Sequence, residues 1–360
     1  MTASDISVEA PAALETPAPA IDAVGGSQGA GVPPIIDEER AGSRRKKILA
    51  LLLALLFLLL ALLAVWYMVF RKPIADIIPP AVVKILPSYQ YSLSGVTKPQ
   101  DVAASADGSR LYVTQTEGTQ DTVIFDKTGK QLGTLQLPQG VNGHPLYVAV
   151  NPKDGLVYAS DRRDGAVFIC NPDGTYVKEF DHGSTNVWQP LGISFDAAGN
   201  LFVGDVAGQA PVVHEFGPDG KLIRDFGATS SLTSPSGIAE DANGNVYVSD
   251  ANNGRLVVFS PTGDLIGQIA RGVADGNLGL PVGVALDDKG QILVVDSAAS
   301  TIQVYSPIQS GATGPLFVDK VGQQGTANGQ FLYPNGMHLD AQGRIYVADY
   351  GNDRLQVWSY

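Results

Sequence analysis

Short alternating runs of apolar and polar residues fill most of the chain from Tyr89 to its last residue. The last three runs are GMHLD, RIYVAD and RLQVWSY, and AQG and YGND separate them. Runs of this length with a period of two predict half-buried β-strands, and Gly- or Asn-containing breaks predict tight turns. Three strands alone would leave a hydrophobic sheet edge exposed, so the pattern requires a fourth strand from elsewhere.

The alternating region is an internal repeat. Six similar segments each open on a proline, at spacings of 46, 45, 45, 46 and 53 residues: Pro99, Pro145, Pro190, Pro235, Pro281 and Pro334. Each of the first five copies contains four strand-like runs. Four antiparallel strands every 40–50 residues are typical of a β-propeller blade, so six copies predict an all-β, six-bladed propeller.

The sixth copy has only three strand-like runs. Before the first copy lies YQYSLSG, Tyr89–Gly95, which has a strand pattern and no neighbour in its own blade. We predict that this N-terminal strand fills the outer position of blade six and closes the ring.

A different apolar pattern covers Ile48–Phe70, where 23 residues carry no charge. As a helix this run is about 35 Å long, enough to cross a hydrocarbon core of about 30 Å. The run is longer than the apolar part of a cleaved signal peptide and no small-residue cleavage site follows it, which favours an uncleaved signal-anchor. The predicted domains are a disordered cytoplasmic tail (1–39), a transmembrane signal-anchor with a basic flank (40–72), a Pro-rich spacer (73–88) and the propeller (89–360).

The flanking cations predict the orientation of this helix. Five precede it and two follow it closely: Arg40, Arg44, Arg45, Lys46 and Lys47, then Arg71 and Lys72. The more basic flank stays in the cytoplasm. We therefore expect a single-pass protein of the cell membrane with a cytoplasmic N-terminus and an extracytoplasmic propeller.

Blades four and six resemble NHL repeats. The segments PSGIAEDANGNVYVSDANNGRLVVF and PNGMHLDAQGRIYVADYGNDRLQVW have the Pro-x-Gly opening, the DxxGxxYVxD core and the NxRLxVF third strand of that family. The resemblance is good in blades three and five and looser in one and two. It implies a six-bladed NHL propeller similar to the extracytoplasmic sensor domains of bacterial membrane kinases, without the kinase. It carries little information on function.

Charge argues against nucleic acid as a partner. Residues 85–360 contain 16 Lys/Arg and 28 Asp/Glu, whereas residues 1–84 are neutral with 8 of each. An acidic domain repels phosphate backbones.

The sequence gives only weak evidence for catalytic or metal-binding residues. One aspartate ends the second strand of five blades (Asp161, Asp205, Asp250, Asp296 and Asp349), and Gln115 stands there in blade one. A carboxylate before a turn fixes backbone N–H groups, so we interpret these residues as structural. Cys170, the single cysteine, and His214 and His338 are expected to be packed within strands.

We therefore expect no catalytic residue, metal site or cofactor. Two enzyme alternatives stay open, a metal-dependent lyase and a lactonase, both using the central channel. NHL-like zinc lyases carry His beside the blade-opening proline, where this chain has Gln100, Leu146, Leu191, Ser236, Val282 and Asn335. A lactonase would need a Glu, an Asn and an Asp meeting in the channel, to which Glu240 and Asn335 could contribute.

Recognition is the function that the remaining residues favour. In a propeller, the loops between blades and those between second and third strands share one face. Aromatic side chains mixed with Arg and Asn are typical of binding hot spots. The predicted binding residues on this face are His144, Arg162, Arg163, Trp188, Asn252, Asn253, Tyr333, Asn335 and Tyr350. We expect a binding or scaffold module whose partner is a protein, peptide or glycan outside the membrane.

Overall fold

The structure, a computed structural model, describes residues 38–70, 86–139, 141, 144–184, 186–309 and 312–360. Two compact units divide the chain, Met1–Val82 and Val83–Tyr360. The predicted tail, apart from its last two residues, and most of the predicted spacer lie outside the described residues. Their assignment stays a prediction.

The first unit contains one long helix, α1 (Glu38–Phe70), of 33 residues. Its segment Lys46–Tyr67 has a mean hydropathy of 3.4, and all its side chains are exposed in this unit. By length and composition it is suited to cross a membrane, and a signal sequence near the N-terminus can meet the same two criteria. The single apolar helix predicted from the sequence is confirmed, whereas its orientation is not tested by the fold.

The second unit is a six-bladed β-propeller of four-stranded antiparallel sheets. Blade one contains β2 (Pro99–Ala104), β3 (Arg110–Gln115), β4 (Thr122–Asp126) and β5 (Gln131–Thr134). Blade two contains β6 (Tyr147–Val150), β7 (Val157–Asp161), β8 (Ala166–Cys170) and β9 (Tyr176–Glu179). Blade three contains β10 (Pro190–Phe195), β11 (Leu201–Asp205), β12 (Val212–Phe216) and β13 (Leu222–Phe226).

The second half of the ring repeats this arrangement. Blade four contains β14 (Pro235–Glu240), β15 (Val246–Asp250), β16 (Arg255–Phe259) and β17 (Leu265–Ile269). Blade five contains β18 (Pro281–Leu286), β19 (Ile292–Asp296), β20 (Thr301–Tyr305) and β21 (Phe317–Val321). Blade six contains β22 (Met337–Leu339), β23 (Arg344–Asp349), β24 (Arg354–Ser359) and, as its outer strand, β1 (Ser88–Leu93).

The predicted ring closure is confirmed. β1 pairs antiparallel with β24, from Ser88 opposite Ser359 to Leu93 opposite Leu355. Tyr89 also packs edge-on against Trp358, with ring centroids 6.0 Å apart. Both ends of the propeller chain therefore lie in one sheet.

The core lies between the blades. Six buried clusters, one for each interface between neighbouring blades, contain the apolar side chains of the described propeller residues. The cluster between blades six and one, for example, joins Tyr346 and Leu355 to Val102 and Phe125. Alternation places the apolar side chains of each strand on one or other face of its blade, so that every blade depends on both neighbours.

Candidate functional site

The strand order gives the propeller two different faces. The loops between blades and the loops between second and third strands lie on one face, called here the loop face. The turns between first and second and between third and fourth strands lie on the other, called here the turn face. As the fourth strand of blade six, β1 begins on the turn face, so the chain joins the propeller there.

The strand-ending aspartates organise the loop face. Asp250 is fully buried and accepts hydrogen bonds from the backbone N–H groups of Thr233 and Ser234, at 2.9 and 3.1 Å. Its second oxygen accepts from Asn253 Nδ2 and Arg255 Nε, at 2.7 and 2.9 Å. Burial opposes ionisation, but these donors lower the pKa of Asp250 below its usual value. Each such carboxylate ties an inter-blade loop to its blade, a structural role in addition to the predicted contact with the following turn.

Gln115 has the same structural role in blade one. Its Oε1 accepts a hydrogen bond from the backbone N–H of Thr97 at 2.6 Å, two residues before the blade-opening proline. In blade six Asp349 holds Leu332, also two residues before its proline, at 2.8 Å. Gln115 in place of aspartate therefore keeps the hydrogen-bond acceptor in blade one and lacks only the negative charge.

Trp188 lies inside the core rather than on the loop face. It is 5% exposed, its Nε1 donates to the carbonyl oxygen of Gly165 at 2.6 Å, and its ring stacks on His182 at 4.3 Å. Its large ring fills the interface between blades two and three. Trp188 therefore packs the loop and offers little surface to a partner.

The other predicted binding residues differ in their exposure. Four are exposed: Arg162, Arg163, Asn252 and Tyr333, the last at 53%. Four are half-buried: His144, Asn253, Asn335 and Tyr350. Asn253 is committed to Asp250 and to the carbonyl oxygen of Ser231, and Asn335 donates to Gln100 Oε1 at 3.1 Å. The exposed group is the part of the set that a partner can contact directly.

Two exposed apolar residues of the loop face were missed from the sequence. Val187 is 81% exposed and Val273 is fully exposed, each in a loop between blades. A valine in a loop gives no signal that separates an exposed tip from a packed one. Val187 lies in the loop after blade two, Val273 in the loop after blade four and Tyr333 in the loop after blade five. Each of these three loops thus exposes a large apolar side chain.

A central channel forms a second candidate site. A cavity of about 400 Å³ is lined by the first strands of all six blades and by residues of the adjoining turns, among them Ser105, Pro152, Ala197 and Ala341. It therefore reaches the turn face. Towards the loop face the side chain of Tyr147 extends into it, with its hydroxyl 3.4 Å from Gln100 Nε2 of blade one and hydrogen-bonded to Ser236 of blade four.

Glu240 and Asn335 do not meet in this channel. Counting the opening proline as position one, Asn335 occupies position two of its blade and Glu240 position six. Four residues of strand separate these levels by about 13 Å. Among the described residues, no three His, Cys, Asp or Glu side chains are grouped so that they could hold a metal ion.

Cys170 and His214 are structural, as predicted. Cys170 is fully buried, and burial raises the pKa of its thiol to about 12. His214 Nδ1 lies 2.6 Å from Asp225 Oδ1, and its Nε2 lies 3.4 Å from Asp205 Oδ2. His338 differs from the expectation: it lines the channel, and its imidazole has no hydrogen-bond partner among the residues that the structure describes.

Comparison with known proteins identifies the repeat and the fold. The NHL repeat model matches residues 232–259, 278–305 and 331–358, in blades four, five and six. No curated protein sequence matches the chain.

Solved propellers resemble the structure at low sequence identity. A streptogramin B lyase has a TM-score of 0.53 at 13% identity, covering 75% of this chain and 96% of that one. Virginiamycin B lyase from Staphylococcus aureus has a TM-score of 0.53 at 16% identity, covering 76% and 100%. Its catalytically inactive variant with quinupristin has a TM-score of 0.55 at 12% identity, with the same coverage. These likenesses concern the fold alone.

Proposed function

Because the chain is a six-bladed β-propeller with NHL repeats, we propose that it is a membrane-anchored binding or scaffold module. In this proposal the propeller is extracytoplasmic, and its loop face binds a protein, peptide or glycan. The observation that carries the proposal is the composition of the exposed loop face.

Exposed apolar side chains on the loop face support a binding role. Val187, Val273 and Tyr333 are exposed in three inter-blade loops, and Arg162 and Arg163 are exposed in the loop between β7 and β8. Tyr and Arg are enriched among the few residues that dominate the binding free energy of known interfaces. The buried aspartates hold the loops in place, so less conformational entropy is lost when a partner binds.

A capture experiment with matched variants tests this function. The full chain is cross-linked on intact cells as wild type, as a loop-face double variant (Arg162→Glu, Tyr333→Ala), and as a turn-face double variant (Lys153→Glu, Tyr360→Ala). We expect a partner to be lost from the loop-face variant by about tenfold or more and retained by the turn-face variant. Equal capture by both variants would contradict the proposal.

A lyase acting through the channel is the second candidate, because the propellers of the streptogramin and virginiamycin B lyases resemble this one. Purified full chain would be supplied in turn with Zn²⁺, Mg²⁺ and Ca²⁺, incubated with quinupristin and followed by mass spectrometry. Turnover would establish the enzyme. Under the binding proposal the substrate is recovered intact under every metal condition.

A further inference from the structure

The six copies of the repeat can be compared position by position along the channel wall. Position three from each opening proline is glycine in blades three to six, but Asp101 in blade one and Tyr147 in blade two. Position six is apolar in five blades and Glu240 in blade four. Position five is Ala or Ser in five blades and His338 in blade six. All four exceptional residues, Asp101, Tyr147, Glu240 and His338, line the same cavity. The other blades form the same strand without these residue types.

Asp101 places a buried carboxyl group at the inner end of this cavity. It is 8% exposed, its Oδ2 accepts a hydrogen bond from Val148 N at 3.1 Å, and the backbone N–H of Val102 also donates to the carboxylate. Its Oδ1 lies against Gly336 of blade six, where a Cβ would overlap it. No basic side chain of the described residues forms an ion pair with Asp101. Burial without a cation raises its pKa to about 7.

Glu240 places a second carboxyl group nearer the turn face. It also lacks a basic partner among the residues the structure describes. Burial, the neighbouring acids Asp196 and Glu215, and a side-chain hydrogen bond with Asp196 raise its pKa to about 7. Asp101 and Glu240 lie on the first strands of opposite blades, at levels that differ by three residues, or about 10 Å of strand rise.

The wall between the two carboxyl groups has apolar and polar surface in similar amounts. Its apolar part includes the position-four residues, whose side chains also pack in the cores between blades: Val102, Val148, Ile193, Ile238, Val284 and Met337. The imidazole of His338 also lines this wall, and burial lowers its pKa, so it is neutral at pH 7 and does not repel a cation. Tyr147 offers a hydroxyl oxygen beside Asp101.

We propose that the channel binds a short linear diamine, with one ammonium group at Asp101, the methylene chain along the apolar part of the wall and the second ammonium group at Glu240. An ammonium ion compensates each carboxylate that lacks a basic partner, and the methylene groups suit the apolar part of the wall. The negative propeller concentrates cations near the open end. This site is independent of the loop face.

Calorimetric titration of the full-length protein in detergent tests the proposal. The probes are putrescine and cadaverine, which are linear diamines of four and five carbons, pentylamine, which has one ammonium group, and pentanol, which has none. We expect a diamine to bind at least about tenfold more tightly than pentylamine, and pentanol to bind more weakly than either.

Two variants assign the two ends of the bound diamine, and a third is the control. Asp101→Asn should weaken diamine and pentylamine alike, by about tenfold or more. Glu240→Gln should reduce diamine binding to the level of pentylamine and leave pentylamine unchanged. Asp288→Asn, an exposed acid on the same face outside the cavity lining, should change neither.

Several results would overturn the diamine site: no binding of any amine, equal binding of pentanol, or equal diamine affinity in the wild type and in Asp101→Asn. Melting temperatures of all variants establish folding. Glu240 is only half-buried, so we expect Glu240→Gln to fold even if Asp101→Asn does not. In that case, the affinities of Glu240→Gln for diamine and pentylamine test the proposal.

Discussion

At the scale of single residues, the buried strand-ending carboxylates contribute to stability because each is both an acceptor and a charge partner. Asp250→Ala removes the acceptor for Thr233 N and Ser234 N and leaves the Arg255 guanidinium without its carboxylate. Breaking a buried pair in this way costs about 3–5 kcal/mol. We expect urea unfolding to report a loss of that size. Asp264→Ala, at an exposed turn of the same blade, should change stability by less than about 0.5 kcal/mol, and an equal effect of both variants would contradict this role.

Adjacent residues of one loop have opposite environments. Trp188→Ala leaves a cavity between blades two and three and removes a hydrogen bond to Gly165 O, so we expect a loss of about 3–5 kcal/mol in the free energy of unfolding. Val187→Ala, one position earlier and 81% exposed, should change it by less than about 0.5 kcal/mol. Unfolding curves measured side by side decide whether the assignment of Trp188 to the core holds.

The buried carboxyl of Asp101 makes stability depend on pH. Its pKa is raised from 3.8 to about 7, so the folded state holds a proton that the unfolded state releases. The free energy of unfolding therefore falls between about pH 4 and pH 7, and the loss is complete above pH 7. Asp101→Asn keeps an acceptor for Val148 N and removes this ionisation.

We expect Asp101→Asn to match the wild type near pH 4 and to be more stable at pH 8, by about 1–3 kcal/mol. Melting curves from pH 4 to pH 8 measure this difference. His338, whose pKa is lowered, changes stability in the opposite direction below pH 6.5, and His214, whose pKa is raised, loses its contribution as pH increases. Both groups are present in both proteins, so the difference isolates Asp101. A constant difference across the range would contradict the assignment.

At the scale of elements, β1 joins the two ends of the propeller chain. Tyr89 packs on Trp358 within the interface between blades five and six, whereas Tyr91 is 39% exposed on the same strand. Tyr89→Ala should destabilise the propeller by about 1–3 kcal/mol through lost apolar burial, and Tyr91→Ala by much less. Chemical denaturation of both variants provides the comparison, and equal stabilities would argue against a closing role for β1.

The repeat made most of the fold predictable from sequence. Strand positions, blade number and the closing strand follow from the period of two, the proline spacing and the unpaired YQYSLSG segment. The strand-ending aspartates were also recognisable, because one per blade indicates a structural role. These features depend on local pattern, which the sequence carries directly.

The sites were less predictable, for a physical reason. Exposure of Val187 and burial of Trp188 depend on how one loop lies over the neighbouring blade, which alternation does not encode. The position of His338 in the channel depends on the spacing between first strands of different blades. An aligned comparison of the six copies could have singled out Asp101, Tyr147, Glu240 and His338 as departures, but only the fold places them around one cavity.

At the scale of the whole molecule, the basic flank of α1 predicts where the propeller lies. Arg40, Arg44, Arg45, Lys46 and Lys47 precede the apolar core of the helix, and only Arg71 and Lys72 follow it closely. Translocation keeps the more basic flank in the cytoplasm, so we expect the propeller outside. Protease added to intact cells should then degrade the propeller, and a tag at the N-terminus should stay protected.

Charge redistribution tests the cause of that orientation as well as its direction. Replacing Arg44, Arg45, Lys46 and Lys47 by Asn or Gln, and adding four lysines directly after Lys72, reverses the imbalance while leaving the propeller sequence unchanged. We expect the N-terminal tag to become accessible and the propeller to become protected in a fraction of molecules. A matched variant with four lysines added at the C-terminus, far from the helix, should keep the wild-type pattern. Protection of the wild-type propeller until the membrane is broken would contradict the orientation. A soluble mature chain that starts after α1 would instead identify the helix as a cleaved signal sequence.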